Sequence, residues 1–412
     1  MAAVSKHLTS IHDFLAFRGV CSSWRSAATF DNFDGEVPRV PWLMCVSSEG
    51  EEMAKEGNTD GGAKKVVVSL FDLSTEKARI LNNVSPMDGK GYLSSRGWIL
   101  CVSECDGSVY LTHPVWRIKI ELPGLGTLPG YTLKEGIGYI KKMVLSGSPT
   151  RKTDLVVMVI WGKLKRLGFS RPGDLSWTVM GTWRDSFCDI LYHNRRLYAV
   201  NLSKSIVECD IHGPNPTHLL QPKNSSQQKN KGKGGETLIT VSGDVAYCSN
   251  HVPQNDPLFM AQHAGDNNDF DNNFPRKLML YLVKSFGKFL IVSRCIVNNR
   301  TFRFQILEVD LKDGSHKNIK RLWKTAIFLG LNSSVCLELP EWGVVKPNYF
   351  LGLLPEWGVV KPNYIYFTDD HSGKGKGLDM GVWQLMGGVP MGLHHGCSGA
   401  FLAPPVWVVP SI

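Results

Sequence analysis

The residues in this 412-residue chain whose types and spacing could do chemistry are few and scattered. "HHGC" at 394–397 offers two imidazoles and a thiol, the ligand types of a zinc centre. Such a centre wants four ligands and a supporting outer shell, and the run stands in a Gly-rich stretch that supplies neither. Cys101 and Cys105 have no second pair to complete a four-thiolate site, and read as neighbouring positions in a core. Asp185 with Asp189, and Asp369 with Asp370, are spaced as paired carboxylates could be for acid–base work. Neither pair has an identifiable partner acid or base, and turn and strand-end roles account for them. The Gly-Lys tracts at 231–235 and 373–377 lack the following helix that a phosphate cradle requires, and H-E-x-x-H and G-x-S-x-G are absent. The expectation is a chain with no catalytic residues, no cofactor and no metal, hence not an enzyme.

The elements that would position any site are strands. "KVVVSLFDLS" (65–74), "GWILCVSECDGSVYLTH" (97–113), "DLVVMVIWG" (154–162), "RRLYAVNLSKSIVECDI" (195–211), "KLMLYLVKSFGKFLIVSRCIV" (277–297) and "FRFQILEVDL" (302–311) are β-branched or aromatic runs bounded by turn residues. No helices alternate with them, which points to an all-β fold. Three polar stretches, 49–65, 222–236 and 253–277, carry too little apolar surface to order themselves and read as loop insertions. The Asn/Asp run of the third lacks the Gly and terminal Glu of a calcium loop.

A weak internal echo narrows the fold. "LFDLS" (70–74), "ECDIHG" (208–213) and "EVDLKDG" (308–314) each place an acid after an apolar strand and before a turn. Hairpins with polar tips, "YHNRRLYAV" and "VKSFGKFLIV", precede two of them. Repeated four-stranded sheets of this kind are propeller blades, and the chain outside the insertions suffices for six or seven. Radial closure also leaves few exposed edges on so many strands. "LPEWGVVKPNY" occurs at 339–349 and again at 354–364. That period is too short for a blade, so one copy supplies the strand entering "NYIYFTDD" and the other is expected to bulge out as a loop.

Composition excludes several classes. No apolar run approaches a membrane span, so no membrane partner is expected. The net charge of +9 is dispersed over short clusters at 163–166, 229–233, 317–321 and 374–377. These read as solvated loops, with no fold that would mark a nucleic-acid module. "MAAVSKHLTSIHDF" has no uninterrupted apolar core, so it is not a secretory signal. The ten scattered cysteines then read as reduced thiols in the cytoplasm or nucleus, and the Asn-x-Ser/Thr sites at Asn83, Asn201, Asn224, Asn299 and Asn332 as chance matches.

The start of the chain departs from this pattern. "LTSIHDFLAFRGVCSSWRSAA" (8–28) reads as a pair of short helices. Ser10 with Asp13 fits an N-cap and a reciprocating acid, placing a helix start near Ile11. Phe14, Phe17, Cys21, Trp24 and Ala28 recur at spacings of three and four as one continuous apolar stripe, with Leu8, Ile11 and Leu15 as a shorter second row. Helices this short are marginal alone and must dock.

This segment resembles the second half of a plant F-box, with Leu8, Asp13, Leu15, Arg18, Val20, Cys21 and Trp24 at matching positions. The rest resembles the KIB1-4-type β-propeller once labelled a domain of unknown function (DUF295), through "LSWTVMG" (175–181), "FCDILYHNRRLYAV" (187–200), "IFLGLNSSVC" (327–336), "NYIYFTDD" (363–370) and "PPVWVVPSI". The resemblance implies a mainly β, kelch-like propeller over 38–412 behind F-box-like helices over 1–37. "MAAVSKH" stands where an F-box has its Leu-Pro segment and first helix, which implies a module shortened at its N-terminus. It further implies a substrate receptor of an SCF-type ubiquitin ligase. Leu8, Ile11, Leu15, Val20 and Trp24 would hold a Skp1-like adaptor, and the propeller a protein target. A non-enzymatic interaction scaffold that no longer binds the adaptor is the alternative.

Overall fold

The computed structural model describes residues 11–28, 40–48, 66–73, 77–81, 92–114, 118–147, 155–180, 186–209, 218–220, 276–312, 314–339, 360–370, 379–385, 390–392 and 401–409. Two short helices, α1 (Ile11–Val20) and α2 (Ser22–Ala27), precede six sheets arranged as a six-bladed β-propeller.

Blade 1 contains β1 (Trp42–Ser48), β2 (Val66–Asp72) and β3 (Lys77–Leu81), and takes its innermost strand, β25 (Phe401–Val408), from the other end of the chain. Blade 2 is β4 (Leu93–Ser95), β5 (Trp98–Val102), β6 (Val109–Thr112) and β7 (Lys119–Leu122). Blade 3 is β8 (Ile140–Leu145), β9 (Val157–Trp161), β10 (Arg166–Ser170) and β11 (Thr178–Val179). Blade 4 is β12 (Phe187–His193), β13 (Arg196–Asn201), β14 (Ile206–Cys209) and β15 (His218–Leu220). Blade 5 is β16 (Arg276–Ser285), β17 (Lys288–Val297), β18 (Arg300–Val309) and β19 (His316–Ile319). Blade 6 has five strands: β20 (Thr325–Leu329), β21 (Val335–Glu338), β22 (Tyr364–Phe367), β23 (Gly381–Gln384) and β24 (Pro390–Gly392). Their spatial order is β21-β20-β22-β23-β24, with β20 and β22 parallel and every other pair antiparallel.

Position in the blade explains the residue pattern. Strands second from the axis are covered on both faces by neighbouring blades, so "WILCV", "VMVIW" and "TAIFL" are buried at every position. Outermost strands are wet, and "KIEL" and "HKNI" are mostly exposed. The echoed acids fall at one place in the architecture. Asp72 ends β2, and Cys209 and Val309 close β14 and β18 immediately before Asp210 and Asp310, each the third strand from the axis. Asp310 Oδ1 accepts the Lys312 N–H at 2.8 Å, the side-chain turn that such an acid makes after a strand.

Ring closure falls to β25, which pairs with β1. Its register with β1 shifts between Met44 and Val46, where Pro404 and Pro405 interrupt the ladder. Proline donates no ladder hydrogen bond, and the bulge absorbs the pair. Of the duplicated eleven residues, Val360 to Tyr364 of the second copy lead into β22, with Val360 buried. Residues 340–359, which hold most of the first copy, lie outside the described residues, as do the insertions at 49–65 and 222–236 and residues 253–275 of the third. The last two residues of that third stretch, Arg276 and Lys277, are not loop but open β16, where they pair with Val297 and Ile296.

Candidate functional site

The helical stub forms a hairpin of helices with its own small core. Cys21, between α1 and α2, is extended at φ −163° and ψ 175°. The apolar stripe read as continuous is therefore broken at this residue, and Cys21 is exposed. Of the stripe, Phe17 and Trp24 meet with ring centroids 4.3 Å apart and Ala28 is buried, while the side chain of Phe14 lies outside the described residues. Phe17 is buried and Trp24 half-buried. Arg18 donates to the carbonyls of Ala28 and, at 3.3 Å, Arg25, so a cation closes the C-terminal end of the hairpin. Desolvation, with the Arg25 charge next, lowers the Arg18 pKa.

Of the five residues expected to meet an adaptor, Val20 is 59% exposed at the end of α1 and Trp24 lies in α2 with part of its indole open. Ile11 and Leu15 lie in α1, and Leu8 falls outside the described residues, as does the Ser10 cap.

The axis of the propeller holds a polar cluster that the sequence reading did not find. The β20–β21 loop, "GLNSS" at 330–334, reaches across to the inner strands of other blades. Lys142, on β8, donates to the carbonyl oxygens of Gly330 at 2.7 Å and Asn332 at 2.9 Å. Its Nζ also lies 3.4 Å from Asp189 Oδ1 on β12. The second carboxylate oxygen of Asp189 accepts from Ser334 Oγ at 2.6 Å and from the Leu282 N–H of β16 at 2.9 Å. Ser333 N–H donates to the Ser94 carbonyl on β4 at 2.7 Å, and the Ser94 hydroxyl donates to the Trp407 carbonyl of β25. All six blades thus meet through one buried network.

A second cluster lies between blades 5 and 6. Arg294, on β17, is fully buried, and its guanidinium reaches Asp370 at 3.0 Å and Asp379 at 2.8 Å. It also donates to Thr301 Oγ1, Tyr281 Oη and the Thr368 carbonyl. The Tyr281 hydroxyl sits 3.0 Å from Asp370, and its ring lies under Lys142 at 5.3 Å, which connects the two clusters. Burial raises the Tyr281 pKa well above its ordinary value, with the Asp370 charge adding to it.

These contacts correct the reading of the acid pairs as carboxylates without partners. Asp189 is paired with Lys142, and Asp370 with Arg294. One signal lay in the sequence: Lys142 in "IKKMVL" and Arg294 in "LIVSRCIV" are charges inside apolar strands, affordable only when paired.

The arrangement ties the blades to one another. Each charge at the axis is spent on a neighbour. Burial pushes the Cys101, Cys188 and Cys209 thiols up to about 12 and Cys336 to about 11, the opposite of an activated nucleophile. Cys105 is exposed in the turn after β5. Among the described residues no three His, Cys, Asp or Glu side chains gather as a metal site, and 394–397 lies outside them. A cleft of about 580 Å³ opens beside the β9–β10 turn, lined by Tyr139, Trp161 and Lys163. Glu135 is the one acid among its described lining residues, and it accepts hydrogen bonds from the Thr132 N–H at 3.3 Å and hydroxyl at 3.4 Å. Asn332 is 1% exposed, which puts that Asn-x-Ser site out of reach. No helix among the described residues is long and apolar enough to cross a membrane.

A family model described as the KIB1-4 beta-propeller matches residues 70–384, well over half of the chain. The search of curated proteins returned no match.

Proposed function

The chain belongs to the KIB1-4 β-propeller family, and from that premise we propose that it is the substrate-recognition subunit of an SCF-type E3 ubiquitin ligase. The propeller takes a protein target, and α1 and α2 take a Skp1-like adaptor by laying apolar side chains into a groove. The subunit itself is non-catalytic and acts in the cytoplasm or nucleus.

The observation that carries this reading is Val20. The helix hairpin already has an internal contact in Phe17 and Trp24, yet it holds Val20 59% exposed at the end of α1. An apolar side chain kept outside a finished hairpin supports docking on a partner. The channel supports binding over catalysis, because its charged groups are committed to one another.

Co-expression of the full chain with a Skp1-like adaptor, followed by size-exclusion chromatography, tests the assignment. The wild-type chain should co-elute with the adaptor and the Val20→Glu chain should not, with both equally folded by circular dichroism. Failure of the wild-type chain to retain the adaptor, or equal retention by Val20→Glu, removes the ligase assignment. A propeller that still bound a target would then be an interaction scaffold.

A further inference from the structure

One end of the propeller carries the turns that leave the innermost strands of blades 2, 4 and 5. Phe286 and Gly287, at φ 45° and 78°, form such a turn between β16 and β17, and its tight left-handed geometry projects the Phe286 side chain outward. Phe286 is 55% exposed. Its N–H donates to Glu338 Oε1 at 2.8 Å, fixing the turn against the end of β21 in blade 6. Glu338 in turn pairs with Thr325, and Leu339 N–H donates to the Lys324 carbonyl, so the segment entering β20 is fixed at the same place. That segment holds Trp323, 68% exposed, with the Arg321 guanidinium stacked 4.1 Å from its ring centroid.

Two large aromatics are therefore held open to solvent at adjoining corners of blades 5 and 6. The charges around them have one prevailing sign. Lys284 and Lys288 flank the Phe286 turn along the chain, Arg321 lies over the Trp323 ring, Lys324 follows Trp323, and Arg195 occupies the corresponding turn of blade 4. Among the described residues, Glu338 accepts the Phe286 N–H and Glu308 is paired with Lys288 at 2.8 Å. Trp and Arg are the residue types that dominate binding energy when a partner covers them, and large aromatics left exposed together are where partners dock.

We propose that this end of the propeller, centred on Phe286 and Trp323, is the target-docking face, and that it binds an acidic protein segment bearing apolar side chains. The proposal deepens the receptor reading, since it names the face and the chemistry of the target. The segment's apolar residues cover the two rings, and its carboxylates meet the surrounding lysines and arginines. Such pairing speeds and orients the encounter, and is weakened by salt.

Fluorescence anisotropy on the full chain tests this with four labelled probes. These are a short Glu/Asp peptide with a central Leu-Phe pair, the same peptide with Ala in place of Leu-Phe, its Lys/Arg counterpart, and an oligothymidylate. The Leu-Phe acidic peptide should bind best, and Trp323→Ala or Arg321→Glu should weaken it by about tenfold or more. Leu164→Ala, in the β9–β10 turn, should leave binding unchanged; both Trp323 and Leu164 are exposed, so the fold tolerates either change. Equal binding of the acidic and basic peptides, tighter binding of the oligothymidylate, or equal effects of the Trp323 and Leu164 variants would overturn the proposal. The adaptor is absent here, and no peptide is present in the co-elution experiment. Failure of the docking face is thereby distinguished from failure of the ligase reading.

Discussion

Lys142 and Asp189 stand on the innermost strands of adjacent blades, Nζ 3.4 Å from Oδ1, and both are buried. Neither completes its bonding with the other. Lys142 reaches on to two carbonyls of the β20–β21 loop, and Asp189 to a hydroxyl of that loop and to a backbone N–H of blade 5. Neighbouring blades already pack by apolar contact. What the pair adds is a tie across the axis, so that blade 6 is joined to blade 3 as directly as to blade 5.

Removing one partner leaves the other charge buried and uncompensated. Lys142→Met and Asp189→Leu should each lower unfolding stability by about 3–5 kcal/mol. The double substitution should cost less than the sum, because no charge is then stranded. Urea titrations of the four proteins measure the coupling, and strict additivity would show that the two residues act independently.

Gly330 has no room for a side chain. A Cβ there would lie 2.1 Å from Thr368 Oγ1 and 3.1 Å from Asn332 Oδ1. Gly330→Ala should destabilise by about 1–3 kcal/mol through overpacking, and also shift the carbonyl that Lys142 uses. Thr368→Ala removes the nearest atom, and combined with Gly330→Ala should recover part of the loss in the same titration.

Arg294 serves five residues from one guanidinium. Lysine brings a single ammonium with three protons, too few and in the wrong geometry for two carboxylates and three other acceptors. Arg294→Lys should therefore recover only a minor part of the stability lost in Arg294→Met, which strands Asp370 and Asp379 and should cost about 3–5 kcal/mol. Thermal unfolding of the two variants, compared with wild type, makes the distinction.

The ring was legible in the sequence because its cause is local. Apolar runs such as "VMVIW" and acids such as Asp310 at the ends of third strands state the role of each strand in its blade. The closure was not legible. β25 looks unsuited to an inner strand, since Pro404 and Pro405 would break an ordinary ladder, and only the register shift against β1 accommodates them. The axis was hidden for another reason: Lys142, Asp189 and Ser334 are brought together by topology alone, from three different blades. At the N-terminus, spacing alone suggested a stripe through Cys21, but spacing does not reveal that the backbone at Cys21 is extended.

The buried thiols give the propeller a pH dependence on its alkaline side. Burial raises Cys101, Cys188 and Cys209 to about 12 from an ordinary value of 9.0, and Tyr366 to about 12 from 10.0. In the unfolded chain these groups lose their protons at the ordinary values, while the folded chain retains them, so between the two the folded state binds more protons. Their contribution to stability is complete below pH 9, falls as pH rises, and is gone once pH passes the folded values near 12. Urea midpoints should hold steady from pH 7 to about 8.5 and then drop increasingly steeply toward pH 11. Replacing Cys101, Cys188 and Cys209 by Ala should flatten that drop whatever it does to the midpoint at pH 7. An unchanged slope would place the alkaline sensitivity elsewhere in the chain.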